Sequence, residues 1–240
     1  AAPANLVTSD VVWQGQCFNQ EFFSSGATLL NVSGSTTDAT RYKELTTYTG
    51  ASFMDNVSVQ TNALRYNASN GAAIRNTYTW GGPVTVNENY FRISKLQLSA
   101  VNAALNGQKT GFIASNLIAE NTSSSQMTVR FEVGGTLKNC LLVQRGTSQV
   151  AQLSGASSGT SRLYNCTLVR TGSSTSNLIT GNYGTTTLQN CAFFGGATTL
   201  ASGTSTRTYT TCYTDTASPP SGCTTVAYDT STGSGFENKT

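Results

Sequence analysis

The sequence feature that most constrains the fold is a six-residue phrase that occurs three times in the second half of the chain. The copies are Leu137–Leu142, Leu163–Leu168 and Leu188–Phe193, and each has Asn-Cys at its centre. Looser copies begin at residues 93, 113 and 209, so successive copies are separated by 20, 24, 26, 25 and 21 residues. This variable spacing indicates a solenoid in which each repeat forms one coil and the loops differ in length.

Within the phrase, apolar side chains occupy positions one, four and six, a pattern that a single straight strand does not produce. A bend at the asparagine in position three explains it, because Asn tolerates the left-handed backbone conformation better than most residues. Position one, which includes Ile93, Ile113 and Leu137, then points inward before the bend, and positions four and six point inward after it. We therefore predict that Asn139, Asn165 and Asn190 form a ladder of side-chain amides on coils about 4.8 Å apart. The alternative is that they are three independent turn residues.

The sequence thus predicts an all-β protein, a single-stranded right-handed parallel β-helix with capped ends. Charged residues make up only 10% of the chain, and 23 glycines supply turn positions, so little of the sequence suits helices. We expect one domain over residues 1–240. Residues 1–35 would hold an N-terminal cap and the first strand, 36–214 the coils, and 215–240 a C-terminal cap or tail. The apolar segment Val11–Phe23 is the candidate N-terminal cap.

Three cysteines, Cys140, Cys166 and Cys191, share the fourth phrase position and are predicted to stack inside consecutive coils. We interpret them as small buried apolar side chains. The chain has no His and no Cys-x-x-Cys pair, and stacked thiolates do not provide the tetrahedral geometry of zinc sites. For Cys212 and Cys223, 11 positions apart, a disulfide and two free thiols both stay open. Neither a metal ion nor a cofactor is expected.

The distribution of ionisable residues argues against an enzyme. Histidine is absent, and no Asp or Glu lies between Glu132 and Asp215, where the coils are most regular. Glycoside cleavage needs paired carboxylates. The acids that remain as candidates have no motif around them: Asp38, Glu44, Asp55, Glu120 and Glu132. We therefore expect no catalytic residues.

Charge and hydropathy also limit the partners. The net charge is only +3, and no cluster of Lys and Arg marks a nucleic-acid-binding face. No apolar run approaches the roughly 20 residues that a membrane-spanning helix needs. We expect neither nucleic acid nor a membrane as a partner.

Four regions of the sequence resemble right-handed, pectate-lyase-like β-helix virion proteins of tailed bacteriophages. These regions are Thr36–Leu45, Ala63–Gly71, the Leu-x-Asn-Cys coils and Gly222–Tyr228. The resemblance implies a virion component on the outer capsid surface, a decoration (cement) protein that stabilises the phage head. We expect it to act as a homo-oligomer, a trimer, bound to the major capsid protein. The alternatives are a tail spike or fibre that binds a receptor such as a host-surface glycan, and a polysaccharide-degrading β-helix enzyme.

Overall fold

A computed structural model describes residues 3–55, 65–79 and 81–226, and in them the chain winds into an all-β solenoid of three parallel sheets. Successive strands go to the three sheets in turn, so each coil is paired with the coils before and after it. The predicted β-solenoid is therefore confirmed, whereas its right-handedness and its end caps stay predictions.

The three sheets contain eight, nine and seven strands. Sheet 1 consists of Trp13–Cys17 (β1), Lys43–Thr47 (β4), Arg92–Ser94 (β7), Ile113–Ser115 (β10), Thr136–Lys138 (β13), Thr160–Tyr164 (β16), Thr185–Gln189 (β19) and Thr206–Thr210 (β22). Sheet 2 consists of Glu21–Ser24 (β2), Ala73–Asn76 (β5), Gln97–Ala100 (β8), Ile118–Asn121 (β11), Leu141–Gln144 (β14), Thr167–Arg170 (β17), Ala192–Phe194 (β20), Cys212–Thr214 (β23) and Cys223–Thr225 (β24). Sheet 3 consists of Leu30–Val32 (β3), Val84–Val86 (β6), Leu105–Gly107 (β9), Val129–Phe131 (β12), Ala151–Gln152 (β15), Ile179–Thr180 (β18) and Ala201–Ser202 (β21).

Helical structure in the described residues is limited to three short elements. The helix Leu6–Ser9 (α1) is capped by Asn5, whose side chain accepts a hydrogen bond from the amide of Thr8. Two 3-10 turns cover Phe53–Asp55 and Ala68–Asn70. This agrees with the near absence of helix that the composition predicts.

The core lies between the inner faces of the three sheets. Leu137, Leu163 and Leu188 are register partners on neighbouring strands, and all three are fully buried. Phe91, Phe112 and Phe131 form a second column, with ring centroids 6.1 and 5.3 Å apart. Because side chains of the same type stack on one another, each added coil buries the apolar surface of the coil below it.

One of the looser copies begins one residue later than the sequence phrase suggests. Ala114, and not Ile113, is the register partner of Ile93 and Leu137, and it is fully buried. Ile113 instead aligns with Thr136 on the outer face. A shift of one residue reverses the face of a strand, so the prediction that Ile113 points inward is wrong.

The coils extend beyond the range predicted for them, at both ends. The candidate cap Val11–Phe23 contains β1 and β2, and β3 completes a first coil within residues 1–35. At the other end, β24 pairs with β23 inside the predicted tail. The rest of that tail, 227–240, lies outside the described residues, as do parts of two regions that carry the phage resemblance.

A column of buried polar side chains ends the strands of sheet 2, and the sequence analysis did not identify it. Asn76, Asn121, Gln144 and Arg170 are at most 2% exposed. Their side chains donate hydrogen bonds to carbonyl groups of the loops that follow or adjoin them. In the sequence, each member of this column is a polar residue two positions after an inward Ile, Ala or Leu. Because the type of polar residue changes from coil to coil, it is not recognisable as a repeat.

Candidate functional site

The structure places the three predicted asparagines at one corner of successive coils. Asn139, Asn165 and Asn190 have φ values of 53°, 52° and 54°, in the left-handed region. The amide of Asn165 donates to Oδ1 of Asn139 at 3.1 Å, and the amide of Asn139 donates to Oδ1 of Asn116 at 3.2 Å. The corner therefore has the same bend in each of these coils. Side-chain amides connect Asn116, Asn139 and Asn165.

Non-asparagine residues occupy the same corner at both ends of this column. Lys95 and Thr211 follow β7 and β22 with φ values of 62° and 53°. Because these side chains cannot form an amide ladder, the bend itself, and not the ladder, is the feature that the six coils from β7 to β22 share.

Five cysteines form one row along the inner side of sheet 2. Cys140, Cys166, Cys191, Cys212 and Cys223 are free thiols in successive coils, and all except Cys223 are at most 2% exposed. The contact with Cys166, followed by burial, raises the pKa of Cys191 to about 12, and burial raises that of Cys223 to about 12. The thiols of these two residues are therefore neutral at physiological pH.

The structure brings Cys212 and Cys223 together without joining them. They are register partners on β23 and β24, and both are free cysteines. Adjacent parallel strands lie about 4.8 Å apart, within the Cα separations that disulfides allow. Cys17, on the first coil, is buried away from this row, and burial raises its pKa to about 11.

Every carboxylate in the described part of the chain already has a partner. Glu120 on sheet 2 pairs with Arg145, and Glu132 after sheet 3 pairs with Arg130, so the structure does not bring these two candidate acids together. The other carboxylates and their partners are Asp10 and Asp38 with Arg41, Glu21 with Arg75, Glu44 with Gln14, Asp55 with the amide of Ser52, Glu88 with Lys43, and Asp215 with the amides of Gly195 and Gly196.

Seven cations that are not buried have no carboxylate partner among the described residues. Five of them lie on the outer face of sheet 1 or at its margin: Arg92, Lys95, Lys109, Lys138 and Arg162. The other two are Arg65, which lies elsewhere, and Arg207, which is half-buried and donates to backbone carbonyl groups. Arg92 stacks on the ring of Tyr42, 3.5 Å from its centroid, and donates to the carbonyl of Ala39. Positive charge is thus concentrated on one face of the solenoid, which we call the cationic face.

Two shallow depressions lie on the cationic face. The first, of about 380 Å³, is bordered by Arg92 and Arg162 and has glycines in its lining. The second, of about 350 Å³, is lined by Lys138, Tyr164, Gln189 and the corner asparagines. Both depressions contain residues of β13 and β16, and neither is lined by a carboxylate. Cationic, amide and aromatic groups therefore line one continuous surface.

The described residues include no group of three or more side chains suited to a metal ion. None of the helices described is long and apolar enough to cross a membrane. The chain matches no protein-family model, no curated protein and no solved structure. The fold and the charge of its surfaces are therefore the features that point to a function.

Proposed function

We propose that this chain is a non-enzymatic structural protein of a virus particle, a decoration protein that places its cationic face against acidic coat protein. The observation that carries the proposal is the concentration of unpaired cations on this face. Each described carboxylate has another partner, including Glu44, which neighbours Arg92 on sheet 1 but accepts a hydrogen bond from Gln14. No ion pair among the described residues therefore neutralises these cations. An acidic partner would supply the missing charge.

The spacing of the cations favours a protein partner over a dense polyanion. Arg92 and Arg162 share one column of sheet 1, three strands apart, or about 14 Å. Lys138 lies two residues along the strand from that column, about 7 Å away. Duplex DNA carries a charge roughly every 1.7 Å of its axis, which these separated cations do not match. Isolated carboxylates on a coat protein match them better.

The rest of the cationic face suits permanent packing. Its eight strands span about 34 Å. Threonines occupy many of its outward positions on the last four strands: Thr136, Thr160, Thr185, Thr187, Thr206, Thr208 and Thr210. Neutral hydroxyl groups form hydrogen bonds without the large desolvation cost of burying charges. A flat neutral surface with a few cations is thus suited to a large, tight contact.

The arrangement of the acids supports a role without catalysis. Glycoside cleavage uses two carboxylates on either side of the scissile bond, and Glu120 and Glu132 lie on different sheets in separate ion pairs. A receptor-binding tail protein is the second candidate. It is favoured by the two depressions, where Tyr164 and Lys138 together offer a ring and a cation to a host glycan.

Electron cryomicroscopy of intact virus particles tests the location. Density for the solenoid on the capsid shell at local threefold positions, as a trimer, is the expected result. Density at the tail tip alone would instead support the receptor-binding candidate. Incubation with host polysaccharide should give no new reducing ends, and product formation that depends on Glu120 or Glu132 would overturn the non-enzymatic role.

Cosedimentation with undecorated shells of the same virus tests the cationic face. Surface ion pairs contribute about 0.2–1 kcal/mol each, so the triple variant R92Q/K138Q/R162Q should bind about three- to one-hundredfold more weakly. The matched control is Arg65→Gln, which removes a surface cation away from this face. Equal loss of binding in both variants would contradict the proposal.

A further inference from the structure

We propose that identical copies of this chain bind one another through the first coil. This inference rests on the proposed structural role and adds the surface through which the copies assemble. It concerns the end of the solenoid, whereas the contact with coat protein concerns the cationic face on its side.

Exposed apolar side chains are concentrated at this end. Eleven large apolar residues are exposed in the described part of the chain, and only Tyr183 and Tyr213 lie far from the first coil. The other nine, which we call the first-coil patch, are Val11, Val12, Trp13, Phe18, Phe22, Phe23, Leu29, Tyr48 and Met54. Phe18 and Tyr48 stack at 5.2 Å, and Arg75 lies over the ring of Phe23.

The backbone of the first coil is also open to pairing. β1, β2 and β3 are the terminal strands of the three sheets, and among the described residues each pairs on one side only, with β4, β5 and β6. An edge strand presents unpaired N–H and C=O groups that attract another strand. Apolar side chains on three open edges are unusual for a surface that stays in water.

The exposed area is sufficient for a stable contact. A large aromatic side chain buries about 150–250 Å² when fully covered, and the nine residues of the patch are between 36% and 57% exposed. Taking about 80 Å² for each, the patch offers roughly 700 Å², close to the 800 Å² per partner of a standard protein interface.

The partner that fits is the same end of another copy. In the described part of the opposite end, β22 exposes Thr206, Thr208 and Thr210, and β23 exposes the single ring of Tyr213, so this part offers little apolar area to match the patch. The nearby charges are paired, Asp10 with Arg41 and Glu21 with Arg75, which limits repulsion between identical ends. First coils therefore meet first coils around one symmetry axis, which gives a closed oligomer such as the expected trimer and not an open filament.

Sedimentation equilibrium of the full chain tests this. The wild-type protein at micromolar concentration should have a mass at least twice the 25.2 kDa of one chain. The variant F18S/F23S changes the two most exposed aromatics of the patch and should sediment as a monomer. The matched control Y183S/Y213S removes the exposed tyrosines away from the first coil and should keep the wild-type mass.

Hydroxyl-radical footprinting of the wild-type protein gives a readout that does not depend on whether a variant folds. Phe18, Phe23 and Met54 should be protected at high concentration and become reactive on dilution, while Tyr183 does not change. A monomeric wild-type protein overturns the inference, and so does protection of the patch at every dilution, which would mean that another part of the chain covers it. Absence from the capsid in micrographs would instead overturn the proposed function, and the two failures are distinguishable because sedimentation does not depend on where the protein lies in a particle.

Discussion

Replacing Asn165 separates the two physical effects at the asparagine corner. Its side chain donates to Asn139, and its backbone has a φ of 52°. Asn165→Ala removes the hydrogen bond. It also places alanine in the left-handed region, which alanine adopts less readily than asparagine. Asn165→Gly removes the same hydrogen bond but tolerates the backbone conformation.

The backbone conformation of Asn165 is expected to affect stability more than its hydrogen bond does. The bond to Asn139 lies at the surface, so its loss costs about 0.5 kcal/mol, the low end of the usual range. A left-handed alanine costs roughly a further 1–2 kcal/mol, whereas glycine adds about 0.5 kcal/mol through the entropy of the unfolded chain. Asn165→Ala should therefore lose about 2 kcal/mol of unfolding free energy, and Asn165→Gly about 1 kcal/mol.

Urea unfolding followed by circular dichroism measures both losses. Gln189→Ala is the control, because Gln189 is exposed on the same face and should change stability by no more than about 0.5 kcal/mol. If Asn165→Gly proves as destabilising as Asn165→Ala, the backbone does not control the corner. If neither variant loses stability, both parts of the reasoning fail.

Four further predictions concern packing within the coils. Gly15→Val places atoms within 3.2 Å of the Trp13 ring, and we expect a shifted indole fluorescence and a loss of about 1–3 kcal/mol; an unchanged spectrum would contradict this. Glu88→Gln leaves the Lys43 ammonium buried without its counter-charge and should cost about 3–5 kcal/mol in thermal unfolding, while wild-type stability would exclude an important ion pair. Thiol reagents should not label the buried cysteines of the native protein. Since folding raises the pKa of Cys191 from 9.0 to about 12, the melting temperature should fall as the pH rises above about 9, and a flat profile would count against buried neutral thiols.

The sequence predicts this fold well where one phrase repeats with the same residues. Leu137, Leu163 and Leu188 identify an inward column because a leucine is retained in each coil. The alignment fails by one residue at Ile113, because the short strand Ile113–Ser115 has apolar residues on both faces and its pattern does not fix the register.

The first coil and the cationic face are harder to predict, for different reasons. β1 contains Gln14, Gly15 and Gln16, so it lacks the apolar alternation of a buried strand. The cationic face depends on which acids are already paired, and ion pairs such as that of Glu120 with Arg145 join residues 25 positions apart. The pattern of residues along the sequence does not show which charges will pair, because the register of the strands in the sheet determines those pairs.

Because the left-handed corner repeats once per coil, the length of the solenoid can change in steps of one coil. Residues 165–189 run from one corner to the next and contain one complete coil. Duplicating this segment would add about 4.8 Å to the rod without altering the first coil or the last strands. A lineage that needs to span a wider gap can therefore change the length of such a protein in fixed increments while both of its ends keep their contacts.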